Sequence, residues 1–128
     1  MSLSIVPDTH ASTRPRYVEL HARSAFSLLD GASTPERLVA HASRLALDGL
    51  AILDRDDLGG AVRLHRAAKD SGVRPLYGAT LTLEGEMLLP LLVESLQGWR
   101  NLCELISLAR MSSPRGEARL PWHALDGR

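Results

Sequence analysis

Along this chain the spacing of apolar residues switches between the two-residue period of strands and the three-to-four-residue period of helices. Tyr17-Val18-Glu19-Leu20-His21 reads as a short strand, followed by a polar loop through Ser24, Ser27, Asp30 and Gly31. Ser33-Thr34-Pro35-Glu36 supplies a capping residue and then a proline at a first helical position. Leu38, Val39, Ala42, Leu45 and Ala46 recur at helical spacing, which predicts an amphipathic helix from Pro35 to Leu47 with Asp48-Gly49 as its stop. The uninterrupted run Leu50-Ala51-Ile52-Leu53 suits a strand buried on both faces, with Asp54 at its carboxyl end. A second helix is expected from Leu58 to Ser71, stopped by Gly72, and a third strand over Val73 to Tyr77.

Strand, helix, strand, helix, strand is the repeating unit of a parallel α/β fold with right-handed crossovers. Ligands in such folds gather at the carboxyl ends of strands. After Gly78 the texture alters. Ala79 to Leu83 and Met87 to Val93 read as two strands of a hairpin turning at Glu84-Gly85-Glu86. A third helix follows from Leu96 to Arg110, with Trp99, Leu102, Cys103, Leu105, Ile106 and Ala109 on its buried side, and Met111 to Arg128 is rich in turn residues. Residues 1–16 show no periodicity and no apolar core of a secretory signal, and are expected to form a flexible lead-in to one domain over residues 17–128.

Composition narrows the function classes only by exclusion. Acidic and basic residues balance at 15 each, so no net charge favours nucleic acid, an anionic membrane or an acidic partner. Lys69 is the one lysine, and the arginine preference is read as compositional rather than as a phosphate-binding surface. A single cysteine, Cys103, cannot form an internal disulfide, and no apolar run approaches the roughly 18 residues that span a bilayer. A cytoplasmic location with no membrane contact is expected.

Candidate chemistry lies where successive strands end: His21 with Arg23, Asp54 with Arg55, and the stretch Gly78-Ala79-Thr80. The other candidates have plainer readings. His41 and His65 lie inside helices as surface or boundary residues, Asp56-Asp57 precedes a helix and suits capping it, and Cys103 sits among apolar neighbours. Ser24 and Ser27 lack the elbow of a serine hydrolase, and Gly59-Gly60 lacks the lysine of a phosphate-binding loop. Trp99 and Trp122 have no interleaved basic cluster, so core or partner-facing roles fit them better than base stacking.

The segment Y-V-E-L-H-A-R-S-A-F-S-L-L-D-G-A-S-T-P-E-R-L-V resembles the opening of the polymerase-and-histidinol-phosphatase (PHP) domain of bacterial C-family DNA polymerases, where a strand ends in a His-x-His pair. L-A-I-L-D-R-D-D-L-G-G-A-V-R-L-H-R-A-A-K-D-S-G-V-R-P-L-Y-G-A-T-L is similar to that family's A-I-T-D-H, A-A-K and G-x-E segments. G-W-R-N-L-C-E-L-I-S-L-A-R and the R-G-E-x-x-L tail look like the error-prone branch. The resemblance implies a partial, distorted (β/α) barrel of mostly parallel strands with a β-hairpin and a carboxyl-terminal helix. It also implies a truncated domain, because a complete one is about twice as long.

In active relatives, histidines and carboxylates at these strand ends hold divalent metals that activate water against a phosphate ester. The resemblance places His21 and Asp54 as retained metal ligands and Arg23, Arg55 and Thr80 at degenerate ligand positions. A guanidinium stays protonated, cannot ligate a cation and repels it. The implied function is a catalytically inactive scaffold of an error-prone polymerase in replication, repair or translesion synthesis, without a cofactor, in which Arg23 or Arg55 pairs with Asp54. Its partners would be other parts of that polymerase, with DNA met only indirectly and self-association through an open sheet edge. The alternative is a residual phosphoesterase or 3′-5′ exonuclease using Zn²⁺ or Mn²⁺ and completed by a partner chain.

Overall fold

Four strands and three α-helices follow one another in a computed structural model that describes residues 16–127: β1 (Val18–Ala22), α1 (Pro35–Arg44), β2 (Gly49–Arg55), α2 (Ala61–Ala68), β3 (Arg74–Leu83), β4 (Met87–Leu92) and α3 (Leu96–Ser112), with a 3₁₀ turn at Trp122–Leu125. The strands form one sheet in the order β1-β2-β3-β4, parallel except for the antiparallel β3–β4 pair. The expected α/β class and mixed sheet are therefore observed. Apart from Arg16, the expected amino-terminal lead-in falls outside the described residues.

Helix α1 starts where the sequence predicts, with the Thr34 hydroxyl accepting from the Arg37 amide at 3.4 Å and Pro35 in the first turn. It stops earlier than periodicity suggests. Ala46 takes a left-handed φ of 50°, and the amides of Ala46 and Leu47 bond back to the Ser43 and Ala42 carbonyls at 2.9 Å each. That is a Schellman closure with alanine in the usual glycine place. Gly49, expected to be the stop, instead opens β2, where an added methyl would lie 3.1 Å from the Arg74 carbonyl oxygen.

The largest correction concerns β3. A strand ending at Tyr77 and another beginning at Ala79 are one continuous strand of ten residues. Gly78 reads as punctuation in sequence, yet it is needed for close approach: a methyl there would sit 2.1 Å from the Leu91 carbonyl oxygen of β4. Helix α2 is also shorter than expected, because Leu58–Gly60 form a turn closed by the Ala61 amide on the Leu58 carbonyl at 3.0 Å.

All three helices pack on one side of the sheet. Leu50 and Ile52 of β2 meet Val39 and Ala42 of α1 and Leu64 and Ala68 of α2 in one core cluster. Ala79, Leu81 and Leu83 of β3 meet Leu102, Leu105, Ile106 and Ala109 of α3 in a second, into which Leu120 inserts from the tail. Register pairs Ile52 with Tyr77 and Asp54 with Ala79, so both clusters occupy the same face. Each fully buried leucine here contributes roughly 1.5–3 kcal/mol. The other face carries Leu53, Thr80 and Thr82 and has no helix over it; the sheet curls toward it as part of a barrel.

Between α1 and α2 the Arg63 guanidinium grips the Glu36 carboxylate through two bonds of 2.6 and 2.8 Å. Those hydrogen bonds, more than any burial, hold the Glu36 carboxyl down at about 2 and raise Arg63 above its usual value. A carboxyl depressed on folding stabilises the fold above its unfolded value of 4.5, and that contribution disappears as pH falls through about 2. Because both side chains are about half exposed, solvent and salt weaken the pair. In thermal melts, Glu36→Gln is therefore expected to lower the midpoint slightly at pH 7, by an amount that shrinks below pH 4.5 and in high salt.

Candidate functional site

The carboxyl ends of β1 and β2 lie at one rim of the sheet, level with Gly78-Ala79-Thr80, which is not a strand end as expected but the interior of the longer β3. Asp54 is 2 % exposed. Its Oδ1 accepts from the Ser24 amide and the Ser27 hydroxyl, each at 2.7 Å, and its Oδ2 from the Ser24 hydroxyl at 2.6 Å. The Ser27 hydroxyl in turn accepts from the Arg55 amide at 3.0 Å. A buried carboxylate needs such donors, since an unpaired one costs several kcal/mol. Here the donors are two hydroxyls and a backbone amide, and neither Arg23 nor Arg55 pairs with Asp54 as expected.

The arginines turn elsewhere. Arg23 closes an ion pair with Asp30 across the loop that follows β1. Arg55 donates from Nε to the Thr82 hydroxyl at 3.1 Å and lies 3.9 Å from Asp56. Asp56 is itself buried and receives the Thr82 amide at 2.7 Å and the Thr82 hydroxyl at 2.6 Å, while its carbonyl accepts from Arg110 at 2.8 Å. Asp57 pairs with Arg110 at 2.6 Å and accepts from the Gly59 amide. The expected capping of α2 by these two aspartates is not observed, because they bind β3 and α3 instead and Gly60 is the cap without a side-chain bond.

His21 sits on the face of the sheet away from the helices. Its Nε2 lies 3.2 Å from the Thr80 hydroxyl, and that hydroxyl donates its one proton to the Leu53 carbonyl at 3.1 Å. Asp54 shares its side of β2 with Leu50 and Ile52, on the helix-covered face. The structure thus unites His21 with Thr80 and separates both from the Asp54 carboxylate.

These residues do not fit a polynuclear metal centre. Among the described residues no group of three or more His, Cys, Asp or Glu side chains is arranged to hold an ion. The Asp54 oxygens accept from three donors, the His21 Nε2 is engaged by the Thr80 hydroxyl, and the remaining positions are two guanidiniums and a hydroxyl. The serine cage and the Asp56–Thr82–Arg110 bracket escaped sequence reasoning. Their only trace is Ser-x-x-Ser after one strand and Asp-Arg-Asp-Asp at the end of the next.

His65 is exposed, with Nδ1 2.8 Å from the Tyr77 hydroxyl, and Tyr77 meets the Trp99 ring edge-on at 6.1 Å. Burial raises the Tyr77 phenol above its usual value. His41 faces Arg44 at 3.0 Å on the surface of α1, and Cys103 is a half-buried free thiol.

The model of the family described as the PHP domain matches residues 19–127. The chain belongs to the PHP-domain family. As a PHP domain it is 41% identical over 111 residues to the error-prone DNA polymerase of Ralstonia nicotianae, covering 83% of this chain and 10% of that one. It is 40% identical over 111 residues to that of Alkalilimnicola ehrlichii, covering 87% and 11%, and 43% identical over 121 residues to that of Mycolicibacterium paratuberculosis, covering 86% and 11%. The chain spans about a tenth of the length of the curated relatives it matches.

Solved structures agree on the fold. A chain described as a metal-dependent phosphoesterase of Bifidobacterium adolescentis superposes with a TM-score of 0.61 at 25% identity, over 77% of this PHP domain and 34% of that chain. An amidohydrolase from Chromobacterium violaceum gives 0.59 at 26% identity, over 73% and 33%.

Two stability tests follow from the cage. Asp54→Ala strands an amide and two hydroxyls in the interior, and urea unfolding should show a loss of about 3 kcal/mol or more, against about 1 for Ser27→Ala. Gly31→Ala should be at least as damaging as Ser27→Ala, because the added methyl would stand 1.9 Å from the Ser24 carbonyl oxygen.

Proposed function

We propose that this PHP domain is a catalytically inactive scaffold belonging to an error-prone C-family DNA polymerase, serving replication, repair or translesion synthesis in the cytoplasm. The observation that carries the reading is the pairing of two facts at one rim: about 40% identity to error-prone polymerases, and guanidiniums and a hydroxyl at Arg23, Arg55 and Thr80. A cation at that rim would meet two fixed positive charges, whereas the Asp30, Asp56 and Thr82 partners make the same side chains structural cross-links. The polymerase's other parts are the proposed partners, with DNA reached only through them. The proline-free edge of the sheet at β1 is where self-association would occur.

Among the described residues no helix is long and apolar enough to cross a membrane. One structural neighbour is described as a metal-dependent phosphoesterase, while among the described residues here no group of three or more His, Cys, Asp or Glu side chains is arranged to hold a metal ion.

The deciding measurement is a thermal melt of the purified chain against Zn²⁺ and Mn²⁺, read beside hydrolysis of a phosphodiester. A metal bound at 100 times its dissociation constant stabilises the folded state by about 2.7 kcal/mol. The expected outcome is an unchanged midpoint, no turnover, and the same behaviour in His21→Ala. A midpoint that rises with metal and is abolished in His21→Ala would replace the scaffold with a residual hydrolase.

A further inference from the structure

The serine cage does more than satisfy Asp54, because it holds a loop rigid. The Ser27 amide bonds the Ser24 carbonyl at 3.0 Å, the Asp30 and Gly31 amides bond the Ser27 carbonyl at 3.0 and 2.9 Å, and the Ala25 amide bonds the Ser33 carbonyl at 2.8 Å. The Arg23–Asp30 pair ties the two ends together. At the tip of this braced turn stand two adjacent leucines, Leu28 at 85 % and Leu29 at 108 % relative exposure. Leu29 also takes a left-handed φ of 65°, a conformation that a branched side chain rarely adopts. Two large apolar side chains in water, on a backbone held in an unfavourable conformation by buried bonds, form a preorganised anchor with no use inside this chain.

The leucines form one lip of an open groove of about 980 Å³. Pro114, Arg115 and Ala118 also line it. Five carboxylates and four guanidiniums line it, so a phosphate backbone would meet a slightly net-negative surface. A protein segment offering apolar side chains at the leucine lip and mixed polarity elsewhere suits it better. The relatives supply the source, since about nine-tenths of their length lies beyond the part matched here.

We propose that this groove, anchored by Leu28 and Leu29, receives a segment of the error-prone polymerase polypeptide lying outside this chain. The inference rests on the scaffold reading given above and names its docking surface. Burial of Leu28 and Leu29 supplies the attraction, and the rigid turn means that little freedom is lost on docking.

The test uses the full 128-residue chain and, as probe, a polymerase of the same cell from which the segment matching residues 19–127 has been deleted. Titration calorimetry is expected to show binding that weakens at least about tenfold in the double variant Leu28→Ser with Leu29→Asn. Both sites are exposed and asparagine tolerates positive φ, so the melting midpoint should stay or rise. Leu29→Gly is a second variant that removes the side chain without opposing the backbone.

Equal binding by wild type and both variants would overturn the anchor and leave the scaffold reading standing. No binding by wild type would overturn both. Binding of single-stranded DNA oligonucleotides that depends on the two leucines, or dimerisation that does so without polymerase binding, would equally overturn the proposal.

Discussion

One buried carboxylate organises the functional end of this domain. Asp54 follows a run from Gly49 to Leu53 that is apolar and buried, so its charge has to be met by hydrogen-bond donors that stay in place. Ser24 and Ser27 meet it, and in doing so they fix the path of the chain between β1 and α1. The loop's turn bonds and the close seat of Gly31 on Ser24 all depend on that geometry. Asp56 repeats the device one step further along, tying the end of β2 to Thr82 of β3, with Arg110 of α3 on its carbonyl. The rim at the ends of β1 and β2 is thus held together by oxygen-centred hydrogen bonds and ion pairs.

Most of the architecture was legible in the sequence because apolar periodicity reports burial. The helical spacing of Leu38, Val39 and Ala42 and the unbroken run Leu50 to Leu53 both emerged as the expected elements. Boundaries were less legible where a residue works against its usual habit. Ala46 closes a helix in a glycine's conformation, and Gly49 and Gly78 sit inside strands because neighbouring backbone comes too close for a side chain. Local propensity cannot register such tertiary contacts.

The candidate site was legible in lineage and only partly in geometry. Family resemblance named His21, Arg23, Asp54, Arg55 and Thr80, and His21 and Thr80 do meet. What the sequence could not disclose is the side of the sheet on which each lies. Alternation along β2 turns Asp54 toward the helices and Arg55 away from them, and β1 contains an irregularity between Glu19 and Ala22 that shifts its register. Adjacent residues at a strand end therefore serve different faces. The acceptor needs of Asp54 and Asp56 decided which hydroxyls would be drawn in, and short serine and threonine side chains leave little trace in a hydrophobicity pattern.

The two outer strands of the sheet are unlike one another, and this gives the domain a direction of growth. On one side β4 runs antiparallel and contains Pro90, which has no amide hydrogen to offer and is at home only on an edge. On the other, β1 is parallel to its neighbour, free of proline, and followed by the braced turn. An incoming strand would find an edge free of proline only beside β1, where the irregularity between Glu19 and Ala22 and the Glu19 carboxylate on the His21 amide, at 2.8 Å, set which backbone groups it could reach. The layer of helices along one face and the blunted β4 edge leave the β1 side as the natural seam for extending the half-barrel.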